Sequence, residues 1–539
     1  MQTTATTPPS PPAEPRPFPP VFWSANVTEL FERAAYYSMA SFVVIYLGQL
    51  GFGSKWPSSL NSLLWFLVFF LPILSGTIAD QIGYRKSLLL AFVLLAAGYS
   101  LMGYPVWFGG STLADTISKE VTVGARDAVL ITAAIVLIGI GGSVIKPCIS
   151  GTVQKVAGAR ATLGFAIFYM VINIGSLFGR GLAFFVRKGA GAGTITATVA
   201  VLAVAAGVIV MLVRASTKAE RTLADVWRAT AGFTATVLVA AGALVGVYSL
   251  MQQDGSAAGA AAEAGLSSIF AVAAFASVVA FVVVLFFFRE PAVAPNAPAK
   301  PRRSIGRILL DMVLVLGNAR FSLYLVVMSG FYFLYNQVYN VLPLYVKKTV
   351  EPNPAMELYT AANPFVIVCF QLVLSRGLGK MKPIPSMVVG TVVIGLAMLI
   401  NVVPIWMAGG VQAVFQNLLP LGSLFIVLTV ALIALGELFT SPRMYEYIGS
   451  LAPKGQEGLF LGYANLPLAL GALAGGPVGA VLFDEVMSRD AKPRADGTLA
   501  LDPGWNALGW GILTVIGLMS ALSLWLFHKW VERQRVVAA

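Results

Sequence analysis

The chain has 539 residues, of which 58% are hydrophobic and only 11% charged, with a mean hydropathy of +0.81 and a formal net charge of +12. A soluble chain would carry about 25% charged residues, so a water-soluble enzyme is excluded and an integral membrane protein is implied. The basic residues punctuate the connections between apolar runs, which points to membrane orientation rather than to nucleic acid. Cys148 and Cys369 are the only cysteines and form no disulfide framework or metal spacing. The single histidine, His528, ends the last apolar segment, which argues against a histidine proton relay at the membrane centre.

Residues 1–20 include "TTPPSPPAEPRPFPP", Pro-rich with one Arg and no apolar h-region, and are expected to be a disordered tail rather than a signal peptide. Apolar runs long enough to cross about 30 Å of hydrocarbon then recur to the end of the chain. They predict helices near 22–50, 58–80, 87–106, 128–153, 163–186, 192–214, 229–251 and 267–288, then near 318–346, 355–376, 383–406, 420–447, 457–483 and 507–530. With both termini in the cytoplasm, Lys and Arg concentrate in the inner connections, as the positive-inside bias requires.

The stretch "FREPAVAPNAPAKPRRSIGR" is long, basic and Pro-rich, and reads as a linker over 289–308. It divides the chain into an N-terminal six-helix bundle (21–214), an inserted helix pair (215–288) and a C-terminal six-helix bundle (309–533). Two six-helix halves with an inserted pair, fourteen membrane helices in all, are the all-α architecture expected of the major facilitator class. The inserted pair, rich in Ala and Val, is expected at the lipid-facing periphery, and the whole is expected to act as a monomer.

The first helix poses the functional question. Glu29, Glu32, Arg33, Tyr36 and Tyr37 fall at i, i+3, i+4, i+7 and i+8, one stripe of a helix. Glu29 stands about 10 Å into the segment at 1.5 Å per residue. A charge at the bilayer centre costs about 2.5–3.5 kcal/mol on insertion scales, so the stripe must face a polar interior. Self-pairing or snorkelling to the surface is the bland alternative. Among the 36 basic residues only Arg33, Lys146 and Arg180 lie within apolar helices away from their ends. Two Glu balanced by one Arg and Lys146 make a near-neutral cluster whose proton affinity depends on which partner is near. That is the requirement for proton coupling.

These residues resemble the proton-dependent oligopeptide transporter (POT/PTR) family of the major facilitator superfamily. The family's E-x-x-E-R-F-x-Y-Y is matched by Glu29 to Tyr37 apart from Ala34, its I-K-P by Ile145-Lys146-Pro147, and its F-Y-x-x-I-N-x-G-S by Phe168 to Ser176. Asn363-Pro364, Gly436-Glu437 with Ser441-Pro442, and Leu451-Ala452-Pro453 continue the set. The general facilitator loop motif is present as Gly76, Asp80, Gly83 and Arg85.

The resemblance implies a proton-coupled symporter importing di- and tripeptides or related small solutes, with no cofactor beyond the proton gradient, in the inner membrane. It implies proton coupling by Glu29, Glu32, Arg33, Lys146 and Glu437, with Glu437 facing Lys146 to close the cytoplasmic side. It implies a substrate cavity lined by Tyr36, Tyr37, Lys146, Tyr169, Asn173, Gln337, Asn363 and Glu437. For Tyr36 and Tyr37 the alternative is interfacial packing, and for Asn173 and Asn363 helix-to-helix hydrogen bonding.

Two positions depart from the family. Ala40 replaces the Arg that grips a peptide carboxylate, and Asn336 stands where an acid commonly precedes Gln337. The outer gate is therefore expected to close by packing or neutral hydrogen bonds. The carboxylate grip is either missing or supplied by Arg180 or Lys146. Arg180 is otherwise expected to form a structural pair near the outer surface. A non-peptide solute, or an exporter on the same fold, is the rival reading. A membrane enzyme or receptor is disfavoured, because no catalytic or metal-ligating set stands out.

Overall fold

A computed structural model describes residues 18–157, 161–187, 259–290, 305–367, 369–370, 381–407, 413–414, 419–451 and 463–538. Among the described residues, eight helices are long and apolar enough to cross a membrane, or up to ten when each of two bent pairs counts as one span. The helices expected near 192–214 and 229–251 and most of the expected linker lie outside the described residues, so the count of fourteen is not tested by them.

The first helix, α1 (Pro20–Ala40), begins directly after Pro19 with Pro20 in its first turn, where proline's fixed φ suits a helix start. It ends where Phe42 leaves helical geometry (φ −120°, ψ −9°), and the chain resumes as Val43–Phe52 at 47° to it. The second span is likewise broken into α2 (Trp56–Phe70) and α3 (Pro72–Ile82), inclined at 45°. The cause is Pro72, which lacks an N–H and whose ring opposes a straight helix. Then follow α4 (Tyr84–Trp107), α5 (Ala125–Ala157), α6 (Ala161–Arg187) and α7 (Gly259–Phe287).

The later part of the chain supplies α8 (Ala319–Tyr335), the short α9 (Met356–Thr360), α10 (Pro383–Leu399), α11 (Leu421–Leu451), α12 (Leu466–Val481) and α13 (Pro503–Ala538). The expected span near 318–346 is interrupted: a 3₁₀ turn over Asn336–Tyr339 separates α8 from Val341–Tyr345. Two antiparallel two-residue ladders lie in connections, Ala413–Val414 on Leu419–Pro420 and Lys492–Pro493 on Leu499–Ala500.

Packing follows the small residues. α1 lies against α5, α6 and α7, while α4 packs on α5 and α7. Among the later helices α10 packs on α11 and α13, and α8 on α12 and α13. The early and late helices meet mainly along α2 and α12. The α1–α6 contact depends on Gly175, where a Cβ would stand 2.6 Å from the Leu30 carbonyl oxygen. Only a residue without a side chain lets the two backbones approach so closely.

One helix departs from expectation. α7, read from its Ala/Val composition as peripheral, is built into the packing between α1 and α4. Ile269, Phe270, Ala273 and Ala280 are fully buried, and Phe270 stacks edge-on to Tyr46 at 4.6 Å between ring centres. Trp107 of α4 donates from Nε1 to the Ser267 hydroxyl at 3.2 Å. In lipid, an all-apolar sequence does not say whether a helix faces acyl chains or other helices, because both are apolar.

Candidate functional site

The stripe on α1 faces inward. Glu29 is fully buried, Glu32 is 1% exposed and Arg33 7%. The Arg33 Nε sits 3.4 Å from Glu29 Oε1 and also donates to Glu32 Oε2 in a close ion pair. One guanidinium thus serves both carboxylates, the self-pairing given above as the alternative reading of the stripe. Among the described residues, neither Glu29 oxygen accepts a hydrogen bond, nor does Glu32 Oε1. Tyr99 of α4, fully buried and within electrostatic reach of Glu32 and Arg33, flanks the cluster and was not singled out from the sequence. Its only sequence signal is a tyrosine in an otherwise apolar helix.

Lys146 comes from α5, where Pro147 removes the N–H that would bond the Ser143 carbonyl. The Ser75 hydroxyl of α3 donates to that carbonyl instead, at 2.9 Å. Lys146 is partly exposed and lies within electrostatic reach of both Glu29 and Glu437. Among the described residues it forms no ion pair within 4.0 Å with either. The Lys146–Glu437 closure implied by the resemblance is therefore not formed in this conformation. Glu437 of α11 instead accepts a hydrogen bond from Asn363 Nδ2 at 3.1 Å. Gly436 beside it has the Gly390 carbonyl oxygen 2.7 Å from where a Cβ would stand, which draws α10 against α11.

Aromatic rings connect these groups. Tyr36 is edge-on to Tyr37 at 5.3 Å and to Trp65 at 5.8 Å, and Trp65 continues to Tyr339 at 4.7 Å and Tyr335 at 6.5 Å. Trp65 is a further residue that sequence reading passed over, because a tryptophan inside "NSLLWFLVFF" reads as core. Tyr169 lies within electrostatic reach of Glu437 and Tyr37, and its carbonyl accepts from Asn173 Nδ2 at 2.9 Å. Gln337 is fully buried and donates to the Phe333 and Gly475 carbonyls at 2.9 and 3.0 Å. Its amide nitrogen ties its own helix to α12. Ala40 and Asn336 are both buried at 2% and 1% exposure.

Arg180 differs from expectation. It is 1% exposed, and its donors go to the Thr360 hydroxyl (Nε, 3.0 Å), to Ser176, and to the Tyr339 hydroxyl (Nη2, 3.2 Å). Its guanidinium carbon stands 4.4 Å over the Tyr37 ring. Among the described residues no carboxylate lies within 4.0 Å, so it is not the structural ion pair the sequence had led us to expect.

The end expected to face outward is held by contacts between early and late helices. Ser41 and Thr360 hydroxyls are 2.8 Å apart, and Asn61 Nδ2 donates to the Tyr339 carbonyl at 3.0 Å and to Asn340 Oδ1 at 3.1 Å. These are the neutral bonds anticipated, but they are not alone. Arg187 pairs with Glu357 at 3.0 Å, and exposed Lys55 pairs with Glu485 at 2.6 Å. Arg187 lies one residue past the apolar run predicted for its helix, so its charge had been assigned to a loop.

The loop motif forms a separate unit. Gly76 fits against Pro147, and Asp80 accepts from the Tyr84 hydroxyl at 2.6 Å and pairs with Lys155 at 3.9 Å. Gly83 takes φ +95°, a value that favours glycine. Arg85 donates to the Leu285 carbonyl at the end of α7 at 2.8 Å.

The model of the POT family matches residues 85–248. Peptide transporter family 1 of Drosophila melanogaster is 33% identical over 172 residues, 31% of this chain and 21% of that protein. Multidrug resistance protein MdtH of Klebsiella pneumoniae is 25% identical over 225 residues, 42% of this chain and 47% of that protein. The chain therefore spans less than half the length of these curated relatives. A crystal structure of a POT family transporter in complex with 5-aminolevulinic acid superposes with a TM-score of 0.60 at 17% identity, covering 94% of this chain and 95% of that one. The fold is that of these transporters.

Proposed function

We propose, from the premise that this is a chain of the POT family by sequence over residues 85–248 and by fold along nearly its whole length, that it is a proton-coupled symporter importing small peptides or related solutes by alternating access. Members of this family are transporters, not enzymes. The observation that carries the reading is the buried Glu29–Glu32–Arg33 cluster, with Lys146 within electrostatic reach of both Glu29 and Glu437 and in no ion pair among the described residues. Lys146 is free to approach one carboxylate or the other as the helices rock. A proton can then replace it on the carboxylate it leaves.

In this reading the early and late helices are the two halves of a major facilitator fold, and one chain supplies every group, so the monomer is the transport unit. The protein sits in the inner membrane with both termini cytoplasmic, as the distribution of Lys and Arg supports. The end closed by Ser41–Thr360 and Arg187–Glu357 is then the outer one, and the separation of Lys146 from Glu437 belongs to an inward-facing state. The roles of Tyr36, Tyr37, Tyr169, Asn173 and Asn363 in lining the cavity are part of this proposal.

The test is uptake of L-alanyl-L-alanine into proteoliposomes under an imposed inward proton gradient. Accumulation above the equilibrium level that collapses when the gradient is dissipated supports symport. Glu32→Gln should abolish accumulation while leaving exchange, and unchanged accumulation would remove the cluster from the coupling mechanism. A second reading, export of a non-peptide molecule, is favoured by the loss of charge at Ala40 and Asn336 and by the likeness to a multidrug resistance protein. Flux direction in everted vesicles separates the two.

A further inference from the structure

We infer that the connection from α4 to α5, residues 109–124, is an outer strap that travels with the early helices. Its Ile117 plugs the outer end of the seam between early and late helices by closing on Leu344. The inference rests on the transport reading above and deepens it, by naming a side chain that gates the outer entrance.

The strap is fastened to the early helices through backbone. The Ala114 N–H donates to the Gln49 carbonyl at 2.9 Å, and the Thr122 and Val123 N–H groups donate to the Gly51 carbonyl at 2.8 and 3.0 Å. The Gln49 side chain donates in return to the Ala114 carbonyl at 2.7 Å. Gly51 permits this docking: it takes φ +101°, and a Cβ there would stand 3.0 Å from the Val123 nitrogen. Breaking these bonds would leave several backbone groups without partners, so the strap keeps its register on the first span.

Contacts with the late helices are of another kind. The stretch "DTISKE" is polar on both sides of Ile117, yet Ile117 is 7% exposed and packs with Val44 of the first span and Leu344 of Val341–Tyr345. Val44 belongs to the early set and Leu344 to the late one, so Ile117 sits where the two sets meet. Thr116 approaches Gly497, in the turn of the ladder between α12 and α13, its Cγ2 3.4 Å from where a Cβ would stand. Among the described residues no hydrogen bond joins 109–124 to the late helices. Charge adds little net hold, because Lys119 is within electrostatic reach of Glu485 and of Lys348 alike. Apolar contact is non-directional and parts without orphaning a donor. Opening the outer end therefore separates Ile117 from Leu344 and leaves the strap on Gln49 and Gly51.

The experiment uses the full-length protein with Cys148→Ala and Cys369→Ala, in right-side-out vesicles. Val44→Cys is labelled from outside with a membrane-impermeant thiosulfonate. Ile117→Ser should speed labelling at least about tenfold, which needs a shift of only about 1.4 kcal/mol towards the open state, and Ile117→Val should stay near the parent rate. An unchanged rate in Ile117→Ser overturns the plug. Two cysteine pairs then test which side the strap follows. Thr116→Cys with Gly497→Cys ties it to the late helices, and oxidation should block exchange of L-alanyl-L-alanine until the bond is reduced. Gly48→Cys with Ile117→Cys ties it to the early helices, since a Cβ at Gly48 would stand 2.9 Å from the Ile117 side chain. Oxidation of this pair should leave exchange at its reduced level. Exchange that persists in the oxidised first pair, failure of that pair to crosslink, or a block by the second pair overturns the strap. Where Ile117→Ser does not fold, the crosslinks decide. If the parent exchanges no L-alanyl-L-alanine, the peptide reading fails, and the labelling rates still decide the plug.

Discussion

Arg187 Nε lies 3.0 Å from Glu357 Oε1, and Nη2 is 3.3 Å from Oε2, in a buried, two-pronged ion pair that joins α6 to α9. Nη2 also donates to the Pro354 carbonyl at 2.8 Å and Nη1 to Asn353. Removing one partner leaves the other charged and buried, which costs about 3–5 kcal/mol. Arg187→Ala and Glu357→Ala should each lower thermal stability in detergent strongly. Arg187→Met with Glu357→Leu should recover most of it, because both charges leave together. A double-mutant cycle on unfolding temperature checks this, and purely additive losses would show that the pair is not coupled.

Lys146 bears on coupling through its freedom rather than its contacts. Replacing it by Gln removes the charge shared by Glu29 and Glu437 without adding bulk. Lys146→Gln should lose gradient-driven accumulation of L-alanyl-L-alanine by at least about tenfold, a difference of about 1.4 kcal/mol in coupling, while exchange across the membrane persists. Parent-like accumulation would mean that the lysine is a bystander.

Much of this site was legible in the sequence, and the misses share a physical cause. Spacing on α1 was enough to place Glu29, Glu32, Arg33 and Tyr36 on one buried face, because charge in an apolar helix has only one affordable direction. Periodicity could not place α7, whose apolar surface is uniform and fits lipid and protein equally well. Nor could it see the pairing of Arg187, just past its predicted run, with Glu357, at the start of another, because the two meet only in the folded chain. Tyr99 looks like core until Glu32 and Arg33 near it are known, and Trp65 until the rings of Tyr36 and Tyr339 are seen to meet on it. Gln337, singled out as a substrate contact, uses its amide nitrogen on the Phe333 and Gly475 carbonyls, a backbone tie that spacing does not foresee.

Gly175 connects packing to the charged cluster. A side chain there would meet the Leu30 carbonyl oxygen at 2.6 Å and the Arg33 Cβ at 2.9 Å. The carbonyl belongs to α1 itself and cannot rotate away. Gly175→Val should destabilise by about 1–3 kcal/mol, the usual penalty of overpacking, and displace Arg33 from its two carboxylates. The expected result is a lower unfolding temperature together with impaired proton coupling. A stable variant with normal coupling would show that α1 and α6 can separate without affecting the cluster.

At the loop motif, Glu290 accepts from the Tyr84 and Arg85 backbone N–H groups at 2.8 and 2.9 Å. These are the first amides of α4, which have no partner within the helix. A carboxylate at a helix N-terminus satisfies the donors and complements the dipole. It comes from just past the end of α7, so it also fastens that helix to the turn at Gly83, which has φ +95°. Glu290→Ala should cost about 1 kcal/mol, and Gly83→Ala about as much through the left-handed backbone. Hydrogen exchange at Tyr84 and Arg85 should accelerate in Glu290→Ala, and in Glu290→Gln at one of the two amides, because the Gln side chain keeps a single acceptor oxygen where the carboxylate offers one to each. If exchange at both amides is unaltered in Glu290→Ala, the contact does not hold α4 to α7. The loop motif must then be positioned by its other contacts, among them Asp80 with Tyr84 and Lys155 and Arg85 with the Leu285 carbonyl.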